Sequence, residues 1–131
     1  MEAEATSTPD RRPPVPEVDR SKPLKPHWFQ ILLALADRDL HGLEIMDEVS
    51  ERTGGTIYLW PGMLYGSLKR MLDEGLVVET DVPEGAQALG GRPRYYHLTD
   101  SGRERLAEEA QRLASYVSAA RAKNLLQGWN A

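Results

Sequence analysis

Two groups of polar side chains in the second half of the sequence are suited to recognising a DNA duplex. Tyr65 and Lys69 stand four residues apart in the segment 61–75, so a helix would present both side chains on one face. A tyrosine hydroxyl and a lysine ammonium both donate hydrogen bonds to phosphate oxygens. Arg92 and Arg94 follow a glycine-rich turn, from which their guanidinium groups could reach a minor groove or its flanking phosphates. These residue types at these positions favour nucleic-acid recognition over catalysis.

The segment 61–75 predicts a helix that is followed directly by a β-hairpin. Pro61 suits the first helical turn, where its missing N–H is not needed, and Gly75 suits a helix end. Four apolar residues share the inner face of this helix at helical spacing: Leu64, Leu68, Met71 and Leu72. The runs 76–82 and 95–98 are strand-like, with a glycine-rich turn between them. A recognition helix followed by a basic hairpin is the layout of a winged helix-turn-helix, whose partner would be duplex DNA.

Four further residues are candidates for contact with DNA. Ser67 and Arg70 flank the two polar residues of the predicted helix, and Gly62 has no side chain to hold the DNA away. His41 stands where another helix begins, and backbone amides at a helix start favour phosphate. A turn or capping role for this histidine is the favoured alternative. The three histidines show no metal-ligand spacing, and no catalytic triad or phosphate-binding glycine loop is recognisable, so we expect no enzyme activity, metal or cofactor.

The rest of the apolar pattern predicts three more helices and one more strand, which makes the fold mainly α in the α+β class. Helices are expected from residue 26 to about 36 and from about 40 to 52. A short β-branched and aromatic run at 56–59 predicts a strand. Thr99 is a suitable N-cap for a last helix, which we expect to reach about residue 127.

Composition divides the 131 residues into an arm and one small domain. Six of the nine prolines lie within residues 1–26, with five acidic and five basic residues and few large apolar ones. Such a stretch buries too little surface to order itself, so we predict a disordered arm at 1–22. A DNA-binding domain is predicted at 23–98, a C-terminal dimerisation helix at 99–127 and a tail at 128–131.

The net charge of −4 has the opposite sign to that of a DNA-binding surface. Residues 37–52 contain six acidic residues and two arginines, so their local charge of −4 equals the net charge of the whole chain. The acidity is therefore concentrated outside the helix and hairpin described above. Affinity for phosphates depends on the charge at the contact surface. With no cysteine, no secretory signal and no apolar run long enough to span a membrane, the chain is expected to be soluble and cytoplasmic.

Apolar residues along the predicted last helix follow a 4-3-4-3 spacing, which is a short heptad seam. They are Leu106, Ala110, Leu113, Val117 and Ala120. The seam could pack inside the same chain, but a small domain leaves little room for it, so pairing with a second copy is favoured. Asn124 falls on the same seam and could set its register, or could equally belong to a frayed helix end. Trp129 could be a partner anchor, a ligand wall or a disordered residue.

Several short motifs, taken in order, resemble those of the PadR family of winged-helix transcriptional regulators over residues 28–106. They are ILLAL at 31–35, HGLEI at 41–45, PGMLY at 61–65, LKRM at 68–71, EGLV at 74–77, GRPRYY at 91–96 and LTDSG at 98–102. The resemblance implies a homodimer that binds a partly palindromic operator and usually represses transcription, and the short C-terminal part resembles the smaller subfamily. This chain departs from the family in having Met63 where a hydroxyl residue is frequent and Gly66 where proline is common.

The resemblance also implies roles for particular residues. The first and last helices make the dimer in the family, which implies dimer contacts by Trp28 and Leu32 as well as by the seam of the last helix. The tyrosine and lysine of the predicted recognition helix match family residues that face DNA. Some relatives bind aromatic or drug-like ligands at the dimer interface, so Trp28, Tyr116 and Trp129 are candidates to line an effector site. Two alternatives stay open: a winged helix that binds protein through its acidic second helix, and a ligand sensor without DNA binding.

Overall fold

The structure of the protein is a computed structural model that describes residues 22–82 and 94–126. Its elements are α1 Pro26–Ala34, β1 Leu40–His41, α2 Gly42–Arg52, α3 Pro61–Asp73, β2 Val77–Thr80, β3 Tyr95–Leu98 and α4 Asp100–Ala122. These helices and a three-stranded antiparallel sheet confirm the predicted α+β fold class. Within the two described ranges, no helix combines the length and apolarity needed to cross a membrane. The predicted arm, except Lys22, and the predicted tail lie outside the described residues.

The core lies where α1, α2 and α3 meet the sheet and the start of α4. Its most deeply buried large side chains are Tyr96, Ile31, Leu32, Leu35, Leu40, Ile45, Leu59, Leu64, Leu68, Met71, Val49 and Val77. The inner face predicted for α3 is confirmed, because Leu64, Leu68 and Met71 are fully covered and Leu72 packs against the same cluster. The opposite face of α3 is thereby left at the surface.

Three residues expected at the dimer interface lie in the core of their own chain instead. Leu32 has no exposed surface, and Trp28 and Leu106 are buried in the same apolar cluster. A second copy could touch Leu32 only if the core opened, so these three residues are corrected to core positions. Helical periodicity marks an apolar face but does not specify whether that face packs within one chain or between two.

The end of α3 is fixed by a left-handed glycine. Gly75 has a φ of 77°, its N–H donates to the carbonyl of Leu72 at 3.1 Å, and the Leu76 N–H donates to the carbonyl of Met71 at 2.9 Å. These two bonds form a Schellman motif, which satisfies the last carbonyls of the helix. The chain therefore leaves α3 directly into β2, as the sequence predicts.

The sheet contains one strand that the sequence does not predict. Its order is β1-β3-β2, and β1 pairs antiparallel with β3 through Leu40 opposite Tyr96 and His41 opposite Tyr95. The predicted start of α2 near residue 40 is therefore two residues early. The expected hairpin is confirmed in its two strands, because β2 pairs with β3 from Val77 opposite Leu98 to Thr80 opposite Tyr95.

The strand predicted at 56–59 is wrong, since this segment is a turn followed by irregular chain. Local hydrogen bonds to Thr53 occupy its polar groups: the Ile57 N–H donates to Thr53 Oγ1 at 3.2 Å, and the Thr56 hydroxyl donates to the Thr53 carbonyl at 2.8 Å. Such side-chain bonds compete with a sheet ladder. Leu59 is buried in the core without belonging to a strand.

The last helix starts as predicted and ends earlier than predicted. Thr99 caps α4, because its Oγ1 accepts from the Gly102 N–H at 2.9 Å. Asn124 has a φ of 61°, and the Leu125 N–H donates to the carbonyl of Ala120 at 3.0 Å, so a second Schellman motif ends the helix at Ala122. Asn124 is therefore a helix terminator, not a member of the apolar seam. Asparagine tolerates this backbone conformation better than most residues.

Candidate nucleic-acid interface

The outward face of α3 presents most of the residues predicted to contact DNA. Tyr65 is 45% exposed, and Gly62, Lys69 and Arg70 are also exposed. Ser67 is only 6% exposed because it lies on the inner side of the helix, so it is left out of the candidate surface. The helix therefore offers a face with two glycines, a phenol and an ammonium group, with Arg70 at its edge.

His41 acts as a helix cap, which confirms the alternative favoured for it. Its Nδ1 accepts from the Glu44 N–H at 3.3 Å, and Glu44 Oε1 accepts from the His41 N–H at 3.1 Å, forming a capping box at the start of α2. The ring is buried and meets the Tyr95 ring edge-on at a centroid distance of 5.2 Å. Its side chain is thus occupied within the fold, and His41 is corrected from a phosphate contact to a structural residue.

Tyr96 on β3 is influenced by groups of both the wing and α3. Burial raises the pKa of Tyr96, and the Glu79 carboxylate on β2 raises it further, whereas the Arg94 guanidinium lowers it. Tyr65 of α3 is close enough to add a small upward contribution to the same pKa. Arg94 also lies 3.6 Å from Glu79 and remains exposed. Tyr65 and Arg94 thus both influence Tyr96, while Arg92 lies outside the described residues.

Two exposed aromatic side chains immediately before α3 were not singled out from the sequence. Tyr58 and Trp60 are 56% and 61% exposed, and their rings meet edge-on at a centroid distance of 4.9 Å. Trp60 is the N-cap residue of α3, and Met63 in the first turn is also at the surface. The signal that could have found them is position, because both residues directly precede the helix that the sequence predicts to recognise DNA.

The second half of α4 carries an uncovered apolar stripe. Every residue from 113 to 119 is exposed, including Leu113, Tyr116 and Val117, and Ala120 is partly covered. The 23-residue helix is about 34 Å long, so its last turns project beyond the core. Three of the residues expected in the dimer seam, Leu113, Val117 and Ala120, therefore have surface available for a partner.

A cavity of about 440 Å³ lies beside Trp28, between the chain segment before α1, the end of α3 and the start of α4. Lys25, Arg70 and Arg105 line it together with a single acidic residue, Glu74. The Leu24 N–H holds the segment in place by donating to the buried Glu109 Oε1 at 3.0 Å. Of the expected ligand-lining residues, Trp28 lines this cavity and Tyr116 does not, while Trp129 lies outside the described residues.

Helices α1 to α3 with a wing formed by β2 and β3 define a winged helix-turn-helix, and the family comparison agrees with it. The model of the transcriptional regulator PadR-like family matches residues 31–108. Since this match covers more than half of the chain, the protein belongs to that family of transcriptional regulators, as the sequence motifs predict.

Solved structures and one sequence relative support the assignment. A PadR family transcription regulator from Clostridium difficile R20291 is 29% identical with a TM-score of 0.61, over 73% of this chain and 95% of that chain. Bacillus subtilis PadR, solved in complex with operator DNA, is 27% identical with a TM-score of 0.52, over 62% of this chain and 44% of that chain. An uncharacterized protein X of Lysinibacillus sphaericus is 32% identical over 90 residues, covering 68% of this chain and 80% of its own length.

Proposed function

We propose that this protein is a dimeric, sequence-specific DNA-binding regulator that acts in the cytoplasm as a repressor. The observation that carries the proposal is the exposed face of α3, which presents Tyr65 and Lys69 together and is followed by a wing that carries the exposed Arg94. The operator-bound Bacillus subtilis PadR is a relative with the same fold, which supports DNA as the partner. Each subunit would place α3 in the major groove, with the wing against the neighbouring backbone.

The dimer would be formed by the projecting half of α4. Leu113 and Val117 are four residues apart on one side of the helix, with Tyr116 between them, and together they offer an apolar stripe to a second copy. A two-fold dimer would present two copies of α3 to half-sites about one helical turn apart, or a multiple of that distance. Repression follows in the simplest case, because a dimer seated on an operator excludes other proteins from it.

Replacing Lys69 with alanine should weaken binding to all DNA sequences. The ammonium group is expected to neutralise one phosphate, so its loss should reduce the slope of log K against log salt concentration by about 0.9. The measurement is fluorescence anisotropy on operator and scrambled duplexes at several salt concentrations.

The matched control is Lys25→Ala, which removes the same charge from the N-cap of α1, beside Trp28. We expect the control to keep the wild-type slope. If Lys69→Ala also keeps it, Lys69 makes no phosphate contact and the proposed surface of α3 is wrong at this position.

Effector control is a further part of the proposal, and the cavity beside Trp28 is its candidate place. Lys25, Arg70 and Arg105 around this space favour an anionic ligand, since opposite charge concentrates there. A carboxylate or phosphate compound that fills the cavity should raise the unfolding temperature of the wild-type protein and raise it less in Arg70→Met. Arg121→Met, in the last turn of α4, is the control. A compound that stabilises all three proteins equally would contradict a site in this cavity.

A further inference from the structure

Gly42, the first residue of α2, lies directly against the ring of Tyr65. A Cβ built on Gly42 would stand 2.6 Å from Tyr65 Cζ and closer still to the hydroxyl oxygen, whereas real Cβ atoms essentially never approach below 3.0 Å. Gly42 is absent from the described glycines with positive φ, so its backbone conformation suits any residue. Close approach of the phenol, and not backbone freedom, is therefore what requires glycine at this position.

The start of α2, which supports Tyr65, is itself held firmly. His41 closes the capping box with Glu44, pairs with Tyr95 in the sheet and meets the Tyr95 ring edge-on. Gly42 follows His41 directly and is buried. The surface on which the phenol rests is therefore a fixed part of the fold rather than a loop.

Tyr65 also lies near enough to Tyr96 of the wing strand β3 to influence its titration, raising the pKa of Tyr96 where Arg94 lowers it. Tyr65 therefore rests on the first turn of α2 and lies near the wing. The hydroxyl oxygen is the Tyr65 atom that lies closest to Gly42, while 45% of the residue as a whole is exposed, so the side chain spans from the start of α2 to the surface.

We propose that Gly42 is the positioning residue for Tyr65: the missing side chain lets the phenol lie across the start of α2, which fixes the orientation in which Tyr65 meets the DNA backbone. This inference rests on the proposed DNA-binding function and assigns a residue that acts through Tyr65 rather than on DNA itself. The obstacle to a methyl group at position 42 is a side chain that can rotate away. Gly42→Ala therefore displaces the ring while the chain still folds.

The test is a double-mutant cycle on operator binding with wild type, Gly42→Ala, Tyr65→Ala and the double variant. A hydrogen bond to a charged phosphate predicts that Tyr65→Ala lowers affinity by roughly 10- to 100-fold. Gly42→Ala should lower it by a similar factor, and in the Tyr65→Ala background it should have almost no further effect. Equal losses from Gly42→Ala in both backgrounds, or no loss in wild type, would overturn the positioning role.

A second measurement separates this inference from the proposed function. In wild type, nuclear Overhauser contacts between the Gly42 Hα protons and the Tyr65 ring are expected, and in Gly42→Ala the ring resonances should shift while the remaining spectrum stays dispersed. Absence of the wild-type contact would overturn the packing itself. If the wild-type protein shows the contact but binds its upstream DNA no more tightly than a scrambled duplex, the proposed DNA function is wrong. The packing of Tyr65 on Gly42 is then still established by the nuclear Overhauser contact.

Discussion

A chain carrying Leu113→Asp and Val117→Asp is expected to be monomeric and to lose affinity for its operator by on the order of 100-fold or more. Both side chains lie exposed on one stripe of α4, in the part of the helix that projects beyond the core. Two carboxylates placed there would face two more across a two-fold axis, without water to solvate them fully. Each monomer would then bind a single half-site and would lose the increase in affinity that a dimer gains by contacting two linked half-sites.

Light scattering after gel filtration and anisotropy on the operator check this result together. The matched control is Ala114→Asp with Ser118→Asp, which adds the same two charges at the same spacing on another side of the exposed part of α4. We expect the control to remain dimeric. If the stripe variant keeps both its dimer mass and its affinity, the dimer is built elsewhere and the role proposed for α4 is wrong.

Gly102→Ala is expected to destabilise the fold by about 1–3 kcal/mol through overpacking. Gly102 is buried in the first turn of α4, and a Cβ there would collide with the main-chain carbonyl oxygen of Leu76 and come within 2.7 Å of Leu98 Cδ1. Unlike the phenol beside Gly42, this carbonyl is backbone and cannot rotate away. The Leu76 carbonyl also receives the Thr99 N–H at 3.1 Å, so moving it would disturb the junction of α3, the sheet and α4.

Chemical denaturation at one fixed chain concentration measures this change, because dimer stability depends on concentration. Gly66→Ala is the control, since no atom lies within 4 Å of the added methyl group and the residue is exposed in the middle of α3. It should stabilise the protein by about 1 kcal/mol through helix propensity. A Gly102→Ala variant as stable as wild type would show that α4 does not approach Leu76 as closely as the structure indicates.

The parts of the fold that the sequence predicts are those with long or strongly punctuated patterns. The inner face of α3, its proline start and its glycine end all agree with the structure. The strand β1 escapes prediction because two residues carry too little pattern, and its partner β3 lies more than fifty residues away in the sequence. The early end of α4 at Ala122 escapes because the left-handed residue there is an asparagine, a weaker signal than glycine.

The candidate site is predicted in its residue types and less well in its geometry. Tyr65 and Lys69 lie at the surface because the apolar stripe of α3 leaves no other place for them. Ser67 is covered by the fold. The sequence does not predict this, because a small hydroxyl residue at the edge of the apolar stripe could face either side. Leu32 was expected at a dimer interface, but its packing partners belong to its own chain. Periodicity in a single sequence does not distinguish packing within a chain from packing between two chains.

The most direct test of operator recognition is fluorescence anisotropy of the purified protein on its own upstream intergenic DNA and on a scrambled duplex, at two salt concentrations. Sequence-specific recognition by α3 and the wing predicts tight binding to the upstream DNA, a clear preference over the scrambled duplex, and weaker binding to both as salt rises. Equal affinity for both duplexes at both salt concentrations would contradict sequence-specific DNA recognition by α3 and the wing.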